Sequence, residues 1–320
     1  MKKYLFAVVL LMSSFQGVAK ESVTLGVSLN ILSLPVVVAH EQAFFKKHNV
    51  KVEVHDCPTG AKCLASMLDG KVDMATATEL PVVLAGFKRQ DFSIVATFAT
   101  TTNDLKILAH AKANIKSPLD LQGKRVAFVP GTASQYFLDT VLIYNGVDPR
   151  WVTRQAMPVD EAVREMVEGN LDAVCLWEPY ISIIREKASS KVSLVPVPRL
   201  YIETFNLIAN ETMIKHRPKD IQRILMAIKE SIAFIENNPK ASAALLEKRL
   251  NVPRHLIEAV LDDYRFKLSL AKSLPRTMDG QARWAIRAGH APAQATQPNT
   301  LDLLDPTFLL AVDPQAVTVP

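Results

Sequence analysis

The sequence predicts an α/β protein that folds into two lobes. Three observations support this fold class: predicted strands and helices alternate, the alternation occurs in two similar blocks, and no Pro/Gly/Ser-rich linker separates the blocks. With 320 residues, 49% of them hydrophobic, the chain is long enough to bury a sizeable core. Two lobes connected by short crossing segments are therefore expected, rather than two domains on a tether.

The N-terminus has the three parts of a secretory signal peptide. The positive residues 1–3 (MKK) precede an apolar run at 4–12 (YLFAVVLLM), and small residues follow at 17–19 (GVA). This run is shorter than the roughly 20 residues that a membrane-spanning helix needs. We expect 1–19 to be a signal peptide that is cleaved after Ala19, and the mature protein to be periplasmic.

The first block of the mature chain predicts a largely parallel sheet with helices on its faces. Alternating or short apolar runs predict strands at 23–28, 50–55, 72–76 and 92–98. The segments between them have helical character and predict helices at 35–48, 61–68 and 80–87.

The second block repeats this pattern. Its strands are predicted at 105–110, 126–129, 152–157, 171–177 and 192–197, and its helices at 131–144, 161–168 and 180–188. The remaining chain adds one strand and then only helices. We expect the strand at 205–209, the helices at 214–235, 239–249, 253–264 and 278–289, and an irregular, Pro-rich tail at 291–320 packed on the surface.

Export permits disulfides, and two of the three cysteines share one loop. Cys57 and Cys63 bracket the sequence DCPTGAKC, in which a proline and a glycine bend the chain. A local bridge is expected, and the alternative is two reduced thiols. Cys175 lies in an apolar strand and is expected to be buried and unpaired.

The composition and the motifs exclude several functions. Lys and Arg exceed Asp and Glu by 5, yet no basic run is longer than two residues, so no nucleic-acid partner is expected. The sequence lacks a phosphate-binding loop, a G-x-G-x-x-G turn, a G-x-S-x-G elbow and an H-E-x-x-H helix. The seven histidines are scattered. We therefore expect no enzyme activity, no cofactor and no metal site.

Four loops, each joining a strand to a helix, remain as candidates for binding. In open α/β sheets, ligands bind beyond the carboxyl ends of strands, and the following helix offers free N–H groups to an anion. The loops supply hydroxyls, an aromatic ring and two acids, namely Ser33, Thr78, Glu79, Thr132, Ser134, Trp177 and Glu178.

Each of these residues also has a purely structural interpretation. Thr132 and Ser134 could only cap their helix, and Trp177 could belong to the core. Glu79 and Glu178 could only complement the first turn of the helices that follow them. The four loops together nevertheless favour a polar cleft between two lobes.

Six segments of the chain resemble a known family. They are 33–48 (SLPVVVAHEQAFFKKH), 69–74 (DGKVDM), 119–126 (LDLQGKRV), 131–134 (GTAS), 169–180 (GNLDAVCLWEPY) and 281–285 (QARWA). Their order and spacing resemble substrate-binding proteins of ABC importers, in the nitrate/sulfonate/taurine group that also contains thiamine-pyrimidine binders.

The resemblance implies a type II periplasmic binding protein fold with two lobes and two crossovers. It implies a first lobe at 20–102 and 204–290, a second lobe at 103–203 and a tail at 291–320. Members of the family close on a solute and deliver it to an inner-membrane permease with its ATPase, and a monomer is expected. The matching pocket positions are Ser33, Thr78, Glu79, Thr132, Ala133, Ser134, Trp177 and Glu178.

The two acids among these positions favour an amine-bearing solute over a bare anion. Taurine or another aliphatic sulfonate is the expected ligand, and a thiamine-precursor aminopyrimidine or nitrate is the alternative. A role as a sensor partner also stays open. A pyrimidine-synthesis enzyme on the same fold is disfavoured by the signal peptide and by the absence of that enzyme's Cys-rich motif.

Overall fold

The structure is a computed structural model that describes residues 22–320, so the predicted signal peptide at 1–19 lies outside the described residues. Within this range the backbone forms eleven strands. In chain order they are β1 (Val23–Ser28), β2 (Val52–Cys57), β3 (Met74–Thr78), β4 (Phe92–Thr101), β5 (Lys106–His110), β6 (Arg125–Phe128), β7 (Thr153–Ala156), β8 (Ala173–Leu176), β9 (Val192–Leu194), β10 (Glu203–Asn210) and β11 (Tyr264–Ser269).

The same residues form thirteen α-helices, none of them long and apolar enough to cross a membrane. They are α1 (Leu34–Glu41), α2 (Phe44–Lys47), α3 (Gly60–Leu68), α4 (Glu79–Gly86), α5 (Ala133–Tyr144), α6 (Val159–Glu168), α7 (Tyr180–Ala188), α8 (Glu211–His216), α9 (Pro218–Asn237), α10 (Pro239–Leu250), α11 (Arg254–Glu258), α12 (Ser273–Arg287) and α13 (Thr307–Val312).

The strands form two separate sheets, each with its own hydrophobic core. The first sheet has the order β11-β4-β10-β3-β1-β2, and the second has the order β7-β6-β8-β5-β9. As predicted, β1 runs parallel to β2 and β3, and β6 runs parallel to β7 and β8. Each sheet also contains antiparallel pairs, so both are mixed rather than largely parallel.

The antiparallel pairs arise where the chain passes from one sheet to the other. It leaves the first sheet after β4, enters the second at β5, and returns at β10. β5 runs antiparallel to β8 and β9, and β10 runs antiparallel to β3 and β4. The two crossing segments, 102–105 and 195–202, lie between these strands. The lobe boundaries given above stay predictions, although the strands change sheet close to them.

Several predicted elements differ from the structure. The helix predicted at 35–48 is interrupted because Ala43 has a left-handed backbone, with φ of 58°, between α1 and α2. The helix predicted at 214–235 is divided at Arg217, after which Pro218 begins α9. The helix predicted at 253–264 ends early, and the alternating sequence YRFKLS that follows forms β11 on the edge of the first sheet.

The C-terminal tail is more ordered and more buried than expected. It contains α13, and Leu303 and Leu309 are fully buried in the core of the first lobe. The cysteines follow the prediction: Cys57 and Cys63 form a disulfide with Cα atoms 5.4 Å apart, and Cys175 is buried and unpaired.

Candidate binding cleft

A small cavity lies between the two lobes, where β1, β3 and β8 end. Ser28 and Thr78 line it from the first lobe, and Thr132 and Trp177 line it from the second. Its volume of ≈ 30 Å³ accommodates one or two water molecules. The lobes are therefore close together in this structure, and they must separate to admit a solute.

Three helices begin at the wall of this cavity. Thr59 and Gly60 at the start of α3 line it, as do Thr78 at the start of α4 and Thr132 and Ala133 at the start of α5. N–H groups in the first turn of a helix have no partner within the helix, and this end carries partial positive charge. Three such ends at one cavity favour an anionic group of a ligand.

The start of α3 is fixed at the cavity by a disulfide, by close packing on β3 and by a helix cap. The disulfide ties Cys57, at the end of β2, to Cys63 inside α3. Gly60 packs so closely on β3 that a Cβ atom there would lie 2.8 Å from the Cα atom of Ala77. The Thr59 hydroxyl caps the helix by accepting a hydrogen bond from the Lys62 N–H at 3.2 Å.

In the loop after β1, the polar residues that line the cavity differ from the predicted Ser33. Ser28 and Asn30 line the cavity, whereas Ser33 is buried behind it. The Ser33 hydroxyl donates to the Ser28 carbonyl at 2.6 Å, and the Ser33 N–H donates to Asn30 Oδ1 at 3.0 Å. Ser33 thus holds the loop that presents Ser28 and Asn30.

In the loop before α5, likewise, only some of the predicted residues line the cavity. Thr132 and Ala133 line the cavity, and Ser134 lies behind them at 0% exposure. The Thr132 hydroxyl donates to the Val129 carbonyl at 2.8 Å, and the Ser134 hydroxyl accepts from the Val129 N–H at 3.1 Å. Both hydroxyls therefore shape the turn before α5, and the Thr132 side chain does not cap the helix, which was the structural role considered from the sequence.

Glu79 is fully buried and is not one of the described residues that line the cavity. Its carboxylate accepts hydrogen bonds from the Tyr201 hydroxyl, from the Thr204 N–H at 3.1 Å and hydroxyl at 2.7 Å, and from Gln281 Nε2 at 2.9 Å. Burial raises the pKa of Glu79, and the hydrogen bonds from Tyr201 and Thr204 oppose that rise. We refer to Glu79, Tyr201, Thr204 and Gln281 as the Glu79 cluster.

Glu178 also has a protein partner rather than a place on the cavity wall. Its carboxylate lies 3.1 Å from the Lys106 ammonium and accepts the Ser182 N–H at 3.0 Å, and only 1% of Glu178 is exposed. The amine expected from a ligand is thus supplied to Glu178 by Lys106. Trp177, beside it, does line the cavity and packs edge-on against Tyr180, with ring centroids 5.7 Å apart.

Two acids that the sequence analysis did not select form the acidic part of the cavity wall. Asp104 lies in the first crossing segment, and Glu203 begins β10 directly after the second. They are 2% and 4% exposed. Asp104 accepts hydrogen bonds from the Tyr264 hydroxyl and, at 3.3 Å, from the Glu178 N–H. We call Asp104 and Glu203 the carboxyl pair.

The environment of the carboxyl pair opposes its ionisation. Burial, helped by the nearby charge of Glu178, raises the pKa of Asp104 to about 7 against the pull of Tyr264 and Lys106. Burial and the charges of Asp104 and Glu79 raise the pKa of Glu203 well above its ordinary value. The structure therefore combines three anion-favouring helix starts with two acids in one cavity.

Two α/β lobes connected by two crossing segments around a cleft define the type II periplasmic binding protein fold, as the family resemblance implies. The chain belongs to the family described as NMT1/THI5 like, which matches residues 30–242.

Comparison with individual proteins agrees with this family. An aliphatic sulfonates-binding protein of Escherichia coli is 24% identical over 247 residues, which cover 76% of each chain. The crystal structure of the periplasmic aliphatic sulphonate binding protein SsuA from Escherichia coli superposes with a TM-score of 0.76 at 20% identity, covering 89% of this chain and 97% of that chain. The alkanesulfonate-binding protein SsuA from Xanthomonas axonopodis pv. citri, bound to MOPS, has a TM-score of 0.76 at 18% identity, with coverages of 86% and 96%.

Proposed function

We propose that this protein is the periplasmic solute-binding component of an ABC importer and that it captures a small organic sulfonate, such as taurine or another aliphatic sulfonate. The observation that carries the proposal is the convergence of the starts of α3, α4 and α5 on one cavity between the lobes. A sulfonate is a compact anion whose oxygens accept hydrogen bonds from such N–H groups. The names of the related sulfonate-binding proteins support the same ligand class.

The two-lobed site suggests how binding is converted into transport. α3 and α4 belong to the first lobe and α5 to the second, so one anion held by all three helix starts would bridge the lobes. A ligand that contacts both lobes stabilises the closed arrangement more than the open one. The closed protein would then dock on an inner-membrane permease that works with an ATPase, and the proposal assigns it no reaction on the solute.

We also propose that the protein reaches the periplasm after cleavage behind Ala19. The n-region, apolar run and small residues of 1–19 support this route. N-terminal sequencing of periplasmic material should give Lys20 as the first residue. A membrane-bound form that keeps Met1 would contradict the proposal.

The sulfonate site can be tested with one added charge. Ala133 is the first residue of α5 and lines the cavity, so Ala133→Asp places a carboxylate where the anion is proposed to bind. Titration calorimetry of the mature protein should detect taurine or ethanesulfonate, and the variant should bind them at least about tenfold more weakly because like charges repel. The exposed Ala241 in the first turn of α10 offers a matched control, Ala241→Asp, which should bind as the wild type does.

A wider ligand screen distinguishes the sulfonate proposal from its alternatives. Thermal shift of the mature protein against sulfonates, nitrate, bicarbonate and an aminopyrimidine should give its largest stabilisation with a sulfonate, because a ligand that binds only the folded state raises the melting temperature. A response to nitrate or to the aminopyrimidine alone would overturn the proposed ligand class and leave the solute-binding role in place.

A further inference from the structure

We infer that α5 and the end of α12 form a pH-sensitive clasp between the two lobes, which holds the cleft closed while His290 is neutral and releases it when His290 is protonated. The clasp consists of Gln135 and Asp139 in α5, of Trp284 in α12 and of His290 shortly after α12. Its role in transport rests on the proposed function, because the clasp would regulate the opening of the same cleft.

The clasp joins helices that belong to different lobes. α12 packs on α4, which follows β3 of the first sheet, whereas α5 follows β6 of the second sheet. The clasp also lies outside the solute cavity, because none of its four residues is among the described residues that line the cavity. A hinge motion that separates the lobes would therefore pull the partners apart without the loss of a solute contact.

The first bond of the clasp is buried and involves a charged acceptor. Trp284 Nε1 donates to Asp139 Oδ2 at 3.0 Å, and the two residues are 4% and 2% exposed. The Asp139 carboxylate also accepts from Arg154 Nη1 at 2.7 and 3.0 Å, and Tyr136 packs edge-on against the Trp284 ring. Because the donor and the acceptor come from different lobes, this bond stabilises the closed arrangement more than the open one.

The second bond of the clasp requires one protonation state of His290. The Gly131 N–H donates to Gln135 Oε1 at 2.8 Å, which fixes the orientation of this side-chain amide. Its other end, Nε2, lies 2.8 Å from His290 Nε2. An amide NH₂ group can only donate, so His290 Nε2 must accept, and an imidazole accepts only while that nitrogen carries no proton. Protonation of His290 would therefore break the bond, and rotation of the Gln135 amide would break the bond to Gly131 instead.

The surroundings of His290 favour its neutral form in the closed arrangement. Burial lowers the pKa of His290, and the charge of Arg154 lowers it further, while Asp139 opposes the change. The charged groups beside the clasp come from α5, from 148–150, from β7 and from α12, and they are Asp139, Asp148, Arg150, Arg154 and Arg287.

The sign of the pH dependence follows from this lowered pKa. Separation of the lobes would return His290 to water and its pKa towards the ordinary value of about 6.5. The contribution of the clasp to closure is then fully present above that value and is lost as the pH falls below it.

The direct test needs no solute. Small-angle X-ray scattering of the mature protein should show a more open average shape at pH 5.5 than at pH 7.5, with the ratio of closed to open molecules about 3- to 10-fold lower. His290→Gln supplies an acceptor that does not titrate, so this variant should scatter alike at both pH values. The exposed His216 at the end of α8 offers a matched control, His216→Gln, which should respond to pH as the wild type does.

Titration calorimetry with taurine measures the effect on binding. Asp104 and Glu203 in the cavity wall also gain protons as the pH falls, but the wild type and His290→Gln share them. From pH 7.5 to pH 5.5 the wild type should lose about 3- to 10-fold more affinity than this variant. Trp284→Phe removes the indole donor and keeps an aromatic ring, so it should bind taurine about tenfold more weakly at pH 7.5, mainly through faster release.

Two scattering results would overturn the inference whether or not a sulfonate binds. They are a wild type with the same shape at both pH values, and a His290→Gln variant that opens at pH 5.5 as the wild type does. Unchanged taurine affinity of Trp284→Phe would also overturn it. If the protein binds no sulfonate at either pH, the proposed ligand fails, and scattering alone decides the clasp.

Discussion

The Glu79 cluster and the carboxyl pair are two groups of buried acids with opposite surroundings. Both oxygens of Glu79 accept hydrogen bonds from donors of the protein itself. Glu203 has a buried oxygen that receives no hydrogen bond from an amine, amide or hydroxyl of the described residues, and the side chain it interacts with is the equally acidic carboxyl of Asp104. Removing a buried acid that accepts several hydrogen bonds is destabilising because it leaves its donors without partners, whereas a buried acid with few donors is costly to ionise.

The position of the Glu79 cluster shows what it stabilises. Glu79 begins α4 in the first lobe, Gln281 belongs to α12, and Tyr201 lies in the second crossing segment. Tyr201 also packs edge-on against Tyr136 of α5, with ring centroids 5.6 Å apart. The cluster therefore fixes the crossing segment that leads to Glu203, and so it positions the carboxyl pair without touching the solute.

The largest effect expected from this contrast is a gain of stability in the absence of solute. Burial raises the pKa of Asp104 to about 7 in the folded state. The stability that the protonated Asp104 contributes is therefore fully present below about pH 4 and is lost as the pH rises to 7. The Asp104→Asn variant has no ionisable group at this position, so its stability does not fall in this way. At about 1.4 kcal/mol per pKa unit, the variant should be more stable than the wild type by up to about 4 kcal/mol at pH 8, and little different at pH 4.

Urea denaturation of the solute-free protein at both pH values measures this difference. A variant that is less stable than the wild type at pH 8 would show that Asp104 is a structural acid like Glu79.

The opposite sign is expected in the Glu79 cluster. Glu79→Ala removes the acceptor of the Tyr201, Thr204 and Gln281 donors and leaves them buried. The free energy of unfolding should fall by about 2–3 kcal/mol at pH 7, the cost of buried donors without partners. Urea denaturation checks the value, and a loss below about 0.5 kcal/mol would remove the contrast between the two groups of acids.

A smaller effect is expected at the disulfide beside the cavity. The bridge closes a loop between Cys57 and Cys63, so replacing both by alanine should cost about 2 kcal/mol of stability. Because this loop carries Thr59 and Gly60 at the cavity, taurine should also bind more weakly to the double variant. Denaturation and calorimetry test the two parts, and unchanged affinity would mean that packing alone holds the start of α3.

The sequence predicts the fold and part of the cleft for a clear physical reason. Thr78, Thr132, Ala133 and Trp177 follow strands, and the carboxyl ends of neighbouring strands meet at one edge of a sheet. These four residues line the cavity as a consequence of local pattern alone.

The carboxyl pair and the partners of the loop acids could not be found in this way. Asp104 and Glu203 lie at the crossing segments, whose positions depend on how the two lobes pack. Glu79 accepts a hydrogen bond from Gln281, 202 residues away in the chain, so its role is not visible in its own loop. β11 brings Tyr264 to Asp104, and the alternating sequence YRFKLS could have predicted this strand.

A crystal structure of the mature protein with taurine tests the central claim most directly. The account predicts the sulfonate in the cavity between the lobes, within hydrogen-bond distance of backbone N–H groups at the starts of α3, α4 and α5. Taurine bound outside the cleft, or turned so that its sulfonate lies against Asp104 and Glu203, would contradict the account.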